Sequence, residues 1–467
     1  MKKNIMLIGL GPHSKRIYIN LFKKHKINVK LIVDVKGNAL SIKKYLKDNN
    51  IDAQLYLIDN KDSNLLELNE NVQKDLLKII KKENINYAII STEPKAHFAY
   101  SKFLIKHNIN ILLDKPITAP INVMNDYNAS LKVASEYLEL CDLYREKTCK
   151  MNFQIQCQRR FHIGYMYIKN LLNEIVKEYG IPITYIDIYH CDGMWNMPNE
   201  FFTRENHPYK YGYGKLFHSG YHFVDLLAWL LECNDSLKNK INNVDLYATS
   251  FKVSDFFNTV NNDFYEKFMD TNKFRDIIDN KDIVKDFGEL DIHSMFDFKY
   301  NDQITTHCSL NLMQSGFSKR AWVDLPLDTY KSNGRIRHER INIQVGPLLN
   351  IQVHSYQAKE IGEETKNSYS TGEIDHFDIY IFRNTKIIGG KDFEKISIKD
   401  LLKKSHNDFL GNNEKAREMC FLDFLNDKKM GSDLLSHQKG ILLLTKLCEI
   451  NALKKSKISF EWSDYYE

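Results

Sequence analysis

The stretch GYGKLFHSGYHFVD, residues 212–225, sets His218 and His222 four residues apart where a helix is expected to begin. At helical pitch, residues i and i+4 share one face. Two imidazoles so placed can clamp a metal, exchange protons with one substrate, or simply pack. Zinc wants at least three protein ligands. His190 and Asp192, in YHCDG, are the residues available to complete such a set. The chain has no HExxH motif and no cysteine pair at ligand spacing, so no metal is expected. Imidazole exchanges protons near neutral pH, which makes His222 the expected acid/base. His218 binds substrate, relays the proton, shares the base role, or has no catalytic consequence; the spacing leaves these open.

Other side chains suit the same kind of site. Lys115, in LLDKP, can hydrogen-bond a substrate oxygen as an ammonium. Its alternative is a surface lysine ahead of a structural proline; a cis bond at Pro116 would orient it, although X–Pro bonds favour trans. Arg159 and Arg160, in CQRRF, are candidates for a substrate carboxylate or phosphate, with Arg160 the chosen one. Trp195, Asn196 and Tyr213 can stack on, or hydrogen-bond, a sugar ring, and each reads equally well as packing.

These residues need elements to hold them. NIMLIGLGPHSKRIYINLFKK reads as strand, tight turn and helix, with Gly9 and Gly11 in the turn and Ser14 opening the helix. This GxGxxS pattern is a variant of the dinucleotide fingerprint. The first glycine makes the turn, the second lets backbone approach a pyrophosphate, and Pro12, His13 and Ser14 lead into a helix N-terminus that attracts the anion. Ser14 is small enough for close packing and can also donate to phosphate. The next strand, NVKLIVD, ends in Asp34, where an acid binds the ribose of NAD and repels a 2′-phosphate. Lys36, two residues on, softens that preference, so NAD is expected and NADP stays possible. Further strands QLYLID, NYAIIST and INILLD alternate with helices, which predicts a doubly wound parallel sheet. Ligands bind beyond the carboxyl ends of such strands. Ser91, Thr92, Glu93 and His97 follow one strand end, and Asp114 and Lys115 close another.

With TEPKAH followed by LLDKP, the sequence resembles the glucose–fructose oxidoreductase, inositol dehydrogenase and MocA family. Its members show Thr-Pro-x-x-x-His after one strand and Glu-Lys-Pro after a later one. They also carry Gly-Gly-Gly-x-x-x-Asp-x-Gly-x-His-x-x-Asp in a second domain, which Gly212, Gly214, Gly220, His222 and Asp225 match. Asp114 stands where the family has Glu, and His218 where many members have Asp. The resemblance runs over most of the chain, to the C-terminal GSDLLSHQKGILLLTKLCEINALKKSKISF. It implies an N-terminal Rossmann domain over 1–120, a connecting helix in 121–150, and a C-terminal α+β domain over 151–467. That second domain has an open, mostly antiparallel sheet and a closing helix near 432–453. It further implies that Lys115 contacts the substrate oxygen beside the nicotinamide and that the protein is a homodimer or homotetramer.

The second half agrees with that outline. SMFDFKYNDQITTHCSL reads as a hairpin turning at Asn301-Asp302, and RINIQVGPLLNIQVHSYQ as a pair hinged at Gly346-Pro347. HFDIYIFRNTKIIGG adds a strand. KMNFQIQCQRRF and IPITYIDIYHCDG read as two more strands of this domain, flanking a helix. Alternating apolar and polar residues suit a sheet with one wet face. Residues 251–288 read as a helical insertion or lid, and 358–372 as an exposed loop.

Composition excludes several classes. The net charge of +5 comes from 65 basic and 60 acidic residues over 467, too weak a bias for nucleic acid. No apolar run is long enough to cross a membrane, and the short apolar N-terminus lacks a cleavage site and runs into a glycine turn. Eight cysteines without CxxC spacing fit reduced thiols in a cytoplasmic protein. The expected activity is hydride transfer between a nicotinamide cofactor and a secondary alcohol or ketone of a sugar, sugar nucleotide or cyclitol. The alternatives are an NAD-dependent glycosidase or lyase without net redox, and a non-catalytic NAD-binding sensor or scaffold.

Overall fold

A computed structural model describes residues 3–60, 66–204, 207–316, 318, 336–358, 375–405, 412–428 and 431–463. The chain divides into two units. The first takes residues 1–120, 132–161 and 413–438; the second takes 121–131, 162–412 and 439–467.

Six strands form the first unit's sheet: β1 (Ile5–Ile8), β2 (Val29–Val35), β3 (Gln54–Ile58), β4 (Tyr87–Ile90), β5 (Asn110–Asp114) and β6 (Phe153–Gln156). They lie in the order β3-β2-β1-β4-β5-β6, and every adjacent pair is parallel. Strands buried on both faces should be apolar throughout. IMLI and YAII are buried at every position. The order reverses direction beside β1, so the ends of β1 and β4 flank the switch point where such sheets bind ligands.

Two assignments differ from the sequence reading. FQIQ, read as the start of the second domain, pairs with β5 and closes the first sheet. Helix Asn412–Leu425 also returns to the first unit, where Ala416, Cys420, Phe421 and Phe424 share a core with Ile5, Leu7 and Tyr18. Both assignments depend on pairings between distant parts of the chain, which local periodicity does not report.

The second unit's sheet contains β7 (Ile183–Met194), β8 (Asn243–Lys252), β9 (Glu289–Tyr300), β10 (Gln303–Ser315), β11 (Ile336–Val345), β12 (Leu349–Ala358), β13 (Asp375–Arg383), β14 (Phe393–Ser397) and β15 (Lys457–Glu461). Their order is β14-β13-β12-β11-β7-β10-β9-β8-β15. Only the β7–β10 pair is parallel. The hairpin turn falls at Asn301 and Asp302, both at positive φ, and Gly346 turns β11 into β12. One face is apolar: Leu310, Ile188, Ile341, Val353 and Ile379 lie opposite one another across five strands, all buried. Residues between them, such as Asp187, Ser309, Asn342 and Gln352, remain partly exposed, as alternation predicts.

Within residues 251–288, read as a helical insertion or lid, three short helices, Val253–Thr259, Asn262–Met269 and Arg275–Asp279, precede a 3-10 turn, Lys281–Val284. Their aromatic core joins Phe256, Phe257, Tyr265 and Phe274 to Met197, Phe201 and Tyr209. The insertion is thus packed into its own domain. The stretch 358–372 lies, except for Ala358, outside the described residues. Among the described residues no helix is long and apolar enough to cross a membrane.

Ile188 is central to the apolar row. Ile188→Ala should cost about 2–5 kcal/mol, by lost burial plus the cavity left behind. An unfolding free energy lowered by that amount in chemical denaturation, with an unchanged slope, would confirm it.

Candidate active site

The first unit builds a cradle at the end of β1. Gly9 turns the chain at a φ of +90°, and a Cβ there would lie 2.5 Å from the Ser91 carbonyl oxygen. Its N–H donates to the Val33 carbonyl at 2.8 Å. Gly11 has a different reason to be small, since a Cβ there meets nothing within 4 Å. Pro12 follows at the first position of a helix running over residues 12–24. Open space at a helix N-terminus is the room a pyrophosphate needs.

Asp34, near the end of β2, accepts from Leu10 N–H at 2.7 Å through Oδ2. Its Oδ1 accepts from Val35 N–H at 2.8 Å and Asn38 Nδ2 at 2.9 Å. A carboxylate offers about four acceptor positions, so these donors leave capacity for a ribose hydroxyl. Lys36 pairs with Asp59 at 2.9 Å, with both side chains about half exposed. Such a pair holds Lys36 weakly, by up to about 1 kcal/mol. The open position at Gly11, the helix start and Asp34 together fit a dinucleotide.

Several residues read as cofactor contacts spend their polar atoms inside the domain. Ser14 is fully buried; its hydroxyl shares one proton between the Gly9 carbonyl (2.7 Å) and Ser91 Oγ (2.9 Å), so its task is packing rather than donation to phosphate. Ser91 Oγ in turn donates to Asp114 Oδ2 at 2.5 Å, and the Tyr18 phenol donates to Asp114 Oδ1 at 2.5 Å. Burial raises the Asp114 pKa; these donors, with Lys115 and Arg417, pull it back down. His13, partly exposed, reaches within 3.5 Å of Asp114 Oδ2 through Nε2. Thr92 and Glu93 stay partly exposed, and Thr92 Oγ1 donates to the Glu93 carbonyl at 3.2 Å.

His97 is fully buried. Its Nδ1 lies 2.7 Å from the Pro116 carbonyl, which can only accept, so the Nδ1–H tautomer is in place. Burial pushes its pKa down to about 4. It is a neutral strut beneath Lys115–Pro116 rather than a cofactor ligand. That peptide bond is cis, and Lys115 is partly exposed at the end of β5.

Arg160 also belongs to the first unit. Its guanidinium donates to the Gly431 carbonyl at 3.3 Å, to Ser436 Oγ at 2.8 Å and to the Ser436 carbonyl at 3.0 Å. It is buried and braces the 431–436 loop, which corrects its reading as a substrate ligand.

In the second unit the two histidines sit on a helix over residues 216–231 whose first turn is a π turn, Leu216–Gly220. Gly220 N–H donates to the Lys215 carbonyl, five residues back, at 2.8 Å. Such widened turns recur at functional sites. His218 is buried among His207, Tyr209 and Tyr213, with ring centroids 4.9, 5.2 and 6.1 Å away. Its Nε2 donates to the Pro208 carbonyl at 3.1 Å, leaving Nδ1 as the basic nitrogen. His222 and Asp225 are also buried on this helix. Tyr213 is fully buried against Phe217 and presents no open ring for sugar stacking, whereas Trp195 is partly exposed, with Phe264 against it edge-on at 5.9 Å. The Asn196 side chain accepts from Arg204 Nη1 at 2.6 Å.

Two residues that sequence reasoning passed over hold this segment. Lys215 is fully buried; its Nζ lies 2.7 Å from Asp192 Oδ2, 2.9 Å from Ser219 Oγ and 3.0 Å from His190 Nδ1. Arg337 reaches Asp192 Oδ1 at 3.1 Å. His190 and Asp192, the residues available to complete a metal set with His218 and His222, are instead engaged with Lys215. Among the described residues no group of three or more His, Cys, Asp or Glu is placed to hold a metal ion. Glu289 is the second such residue. Its Oε1 accepts from Leu216 N–H at 2.7 Å and its backbone carbonyl from Lys215 N–H at 2.9 Å. Burial pushes its pKa up to about 7. The close approach needs Gly214, where a Cβ would lie 1.9 Å from the Glu289 carbonyl oxygen. Nothing in the letters GYGKLF separates Lys215 from a surface lysine. The glycines were the available signal of tight packing.

Comparison with known proteins adds to this geometry. Residues 3–139 match the model of the Gfo/Idh/MocA oxidoreductase family with an NAD-binding Rossmann fold. No curated protein matches the sequence. Among solved structures, an oxidoreductase from Agrobacterium radiobacter in complex with NAD+, L-tartaric acid and magnesium superposes with a TM-score of 0.57 at 12% identity, covering 98% of each chain. The aldose–aldose oxidoreductase of Caulobacter crescentus, complexed with glycerol, gives 0.56 at 10% identity, over 98% of this chain and 100% of that one. The WlbA dehydrogenase of Bordetella pertussis, in complex with NADH and UDP-GlcNAcA, gives 0.54 at 13% identity over 99% of each. At such identities the likeness is one of fold.

Two outcomes follow from this packing. Gly214→Ala should destabilise by about 3 kcal/mol or more, since backbone must move, whereas Gly11→Ala should leave the unfolding temperature within about 2 °C. His97 is neutral in the fold but protonates readily when unfolded, so its contribution is present above pH 6.5 and lost as pH falls toward 4. The loss amounts to roughly 3 kcal/mol. Denaturation midpoints measured from pH 7 to 4 should show it, and His97→Gln should flatten the curve over that range.

Proposed function

Starting from a first domain of the NAD-binding oxidoreductase family, we propose that the chain moves a hydride between a nicotinamide dinucleotide and a secondary alcohol or ketone of a sugar, sugar nucleotide or cyclitol. One observation carries the reading: Gly11 leaves open space at a helix N-terminus, with Asp34 at the neighbouring strand end. The dinucleotide, when bound, supplies or accepts the hydride. Asp34 receives the ribose and disfavours a 2′-phosphate, which makes NAD the preferred form.

This chain's residues manage binding and protons. Lys115 donates to the substrate oxygen and lowers the pKa of the alcohol, steadying the oxyanion that develops as hydride leaves carbon. His222 takes or returns the hydroxyl proton. His218, one helical turn before His222 and held through Nε2 by the Pro208 carbonyl, shares the handling of that proton. The polar, hydroxylated ligands of the similar structures support a sugar-like substrate. We further propose a homodimer or homotetramer, which sedimentation would resolve.

NADH fluorescence on binding is the direct test. Gly11→Val should weaken NADH by about tenfold or more while leaving the fold stable. A polyol and keto-sugar panel read at the nicotinamide absorbance should then reveal turnover. Lys115→Ala should lower kcat by about 100-fold or more with NADH affinity nearly unchanged. Turnover that survives the lysine's loss would overturn its assignment.

A further inference from the structure

We propose that Tyr18 is a positioning residue for Lys115, acting through the carboxylate of Asp114. The inference rests on the oxidoreductase reading for its catalytic meaning, though its geometry lies wholly in the first unit. Tyr18 stands on the helix that begins at the dinucleotide turn, and its side chain is fully buried. Its phenol donates to Asp114 Oδ1 at 2.5 Å. The phenol keeps its proton, because burial and then the adjacent Asp114 charge hold its pKa well above the usual value. Ser91 Oγ, beyond the end of β4, donates to Oδ2, also at 2.5 Å. One carboxylate is thus gripped from two elements, and Lys115 is the next residue in the chain.

The other side of Lys115 is gripped as well. His97 lies 2.7 Å from the Pro116 carbonyl. The backbone is therefore anchored immediately before and immediately after the lysine. A side chain long enough to wander is given a fixed root, as a group that must meet a reacting oxygen requires. The Tyr18 arm also suits the short acid. Asp114 has one methylene fewer than the Glu expected at this position, and the long phenol spans the gap. The π turn over Lys15–Ile19 lies where Tyr18 leaves the helix.

Asp114 is not alone with its donors. His13 approaches within 3.5 Å, and Lys115, Arg417 and Cys420 also feel its charge. Lys115 stabilises the ionised Asp114, so by reciprocity Asp114 stabilises the Lys115 ammonium. Removing the acid should release the lysine proton more easily. In the alkaline range where a lysine titrates the acid is ionised, and there removing the phenol should do the reverse, because a carboxylate with one donor fewer has more of its charge for the ammonium.

The test reads Lys115 directly in the full-length protein. Acetic anhydride labelling at a series of pH values, quantified by mass spectrometry of the Lys115 peptide, gives its titration midpoint. Asp114→Asn should lower that midpoint by about one pH unit, a tenfold rise in labelling at fixed pH. Tyr18→Phe should raise it, slowing labelling by about threefold. The double variant should match Asp114→Asn alone, because the phenol acts only through the acid. General loosening would speed labelling of many lysines without moving one midpoint. If Tyr18→Phe leaves the midpoint in place, or shifts it equally in the Asp114→Asn background, the proposal is wrong. Should Tyr18→Phe fail to fold, Ser91→Ala removes the other donor and must move the midpoint the same way. NADH binding is measured in parallel. A parent protein that does not bind NADH defeats the oxidoreductase reading while leaving the labelling result to decide the positioning role.

Discussion

A carboxylate largely withdrawn from water at the end of a parallel strand has to be given hydrogen-bond donors, and the ligand end of the first unit is organised around that requirement. Asp114 loses most of its water on burial, which by itself favours the neutral form. Tyr18 and Ser91 restore its hydration with fixed hydroxyls. Ser91 is in turn held by Ser14, and Ser14 by the Gly9 carbonyl. One chain of hydrogen bonds therefore runs from the dinucleotide turn to the residue before Lys115. Networks of this kind are costly when incomplete and rigid when satisfied. Such rigidity suits the binding turn and the substrate-contacting role proposed for Lys115.

The second unit meets the same demand with the opposite charge. Lys215 is sealed from solvent and distributes its ammonium among Asp192, His190 and Ser219. Breaking such a buried pair costs about 3–5 kcal/mol, because the partner is left charged and unpaired. The segment bearing His218 and His222 is accordingly fastened to β7 through Lys215 and to β9 through Glu289. The widened first turn and the absence of a Cβ at Gly214 are the geometric conditions for that double attachment.

Much of this was legible in the sequence. Glycine placement, strand-to-helix alternation and the acid at Asp34 are local patterns, and the parallel sheet they indicate is present. The antiparallel strands and their turns at Asn301-Asp302 and Gly346 are local too. Less legible was the destination of polar side chains. Ser14, His97, Arg160 and Tyr213 carry functional groups of the right chemistry, yet each is buried with its atoms or ring engaged by protein. A residue type states what a side chain can bond. It does not state whether a carbonyl from a distant loop arrives first.

By itself, then, the sequence determined most of the strands and helices, the glycine turn after β1 and the acid that ends β2, because spacing along the chain controls each. Tertiary structure alone decided that FQIQ completes the first sheet and that helix Asn412–Leu425 returns to pack on it. It also decided that Lys215 is a buried clamp and that Tyr18 reaches Asp114. Those outcomes turn on burial and on contacts between residues far apart in sequence. There the cost of an unsatisfied polar group, rather than local preference, selects the arrangement.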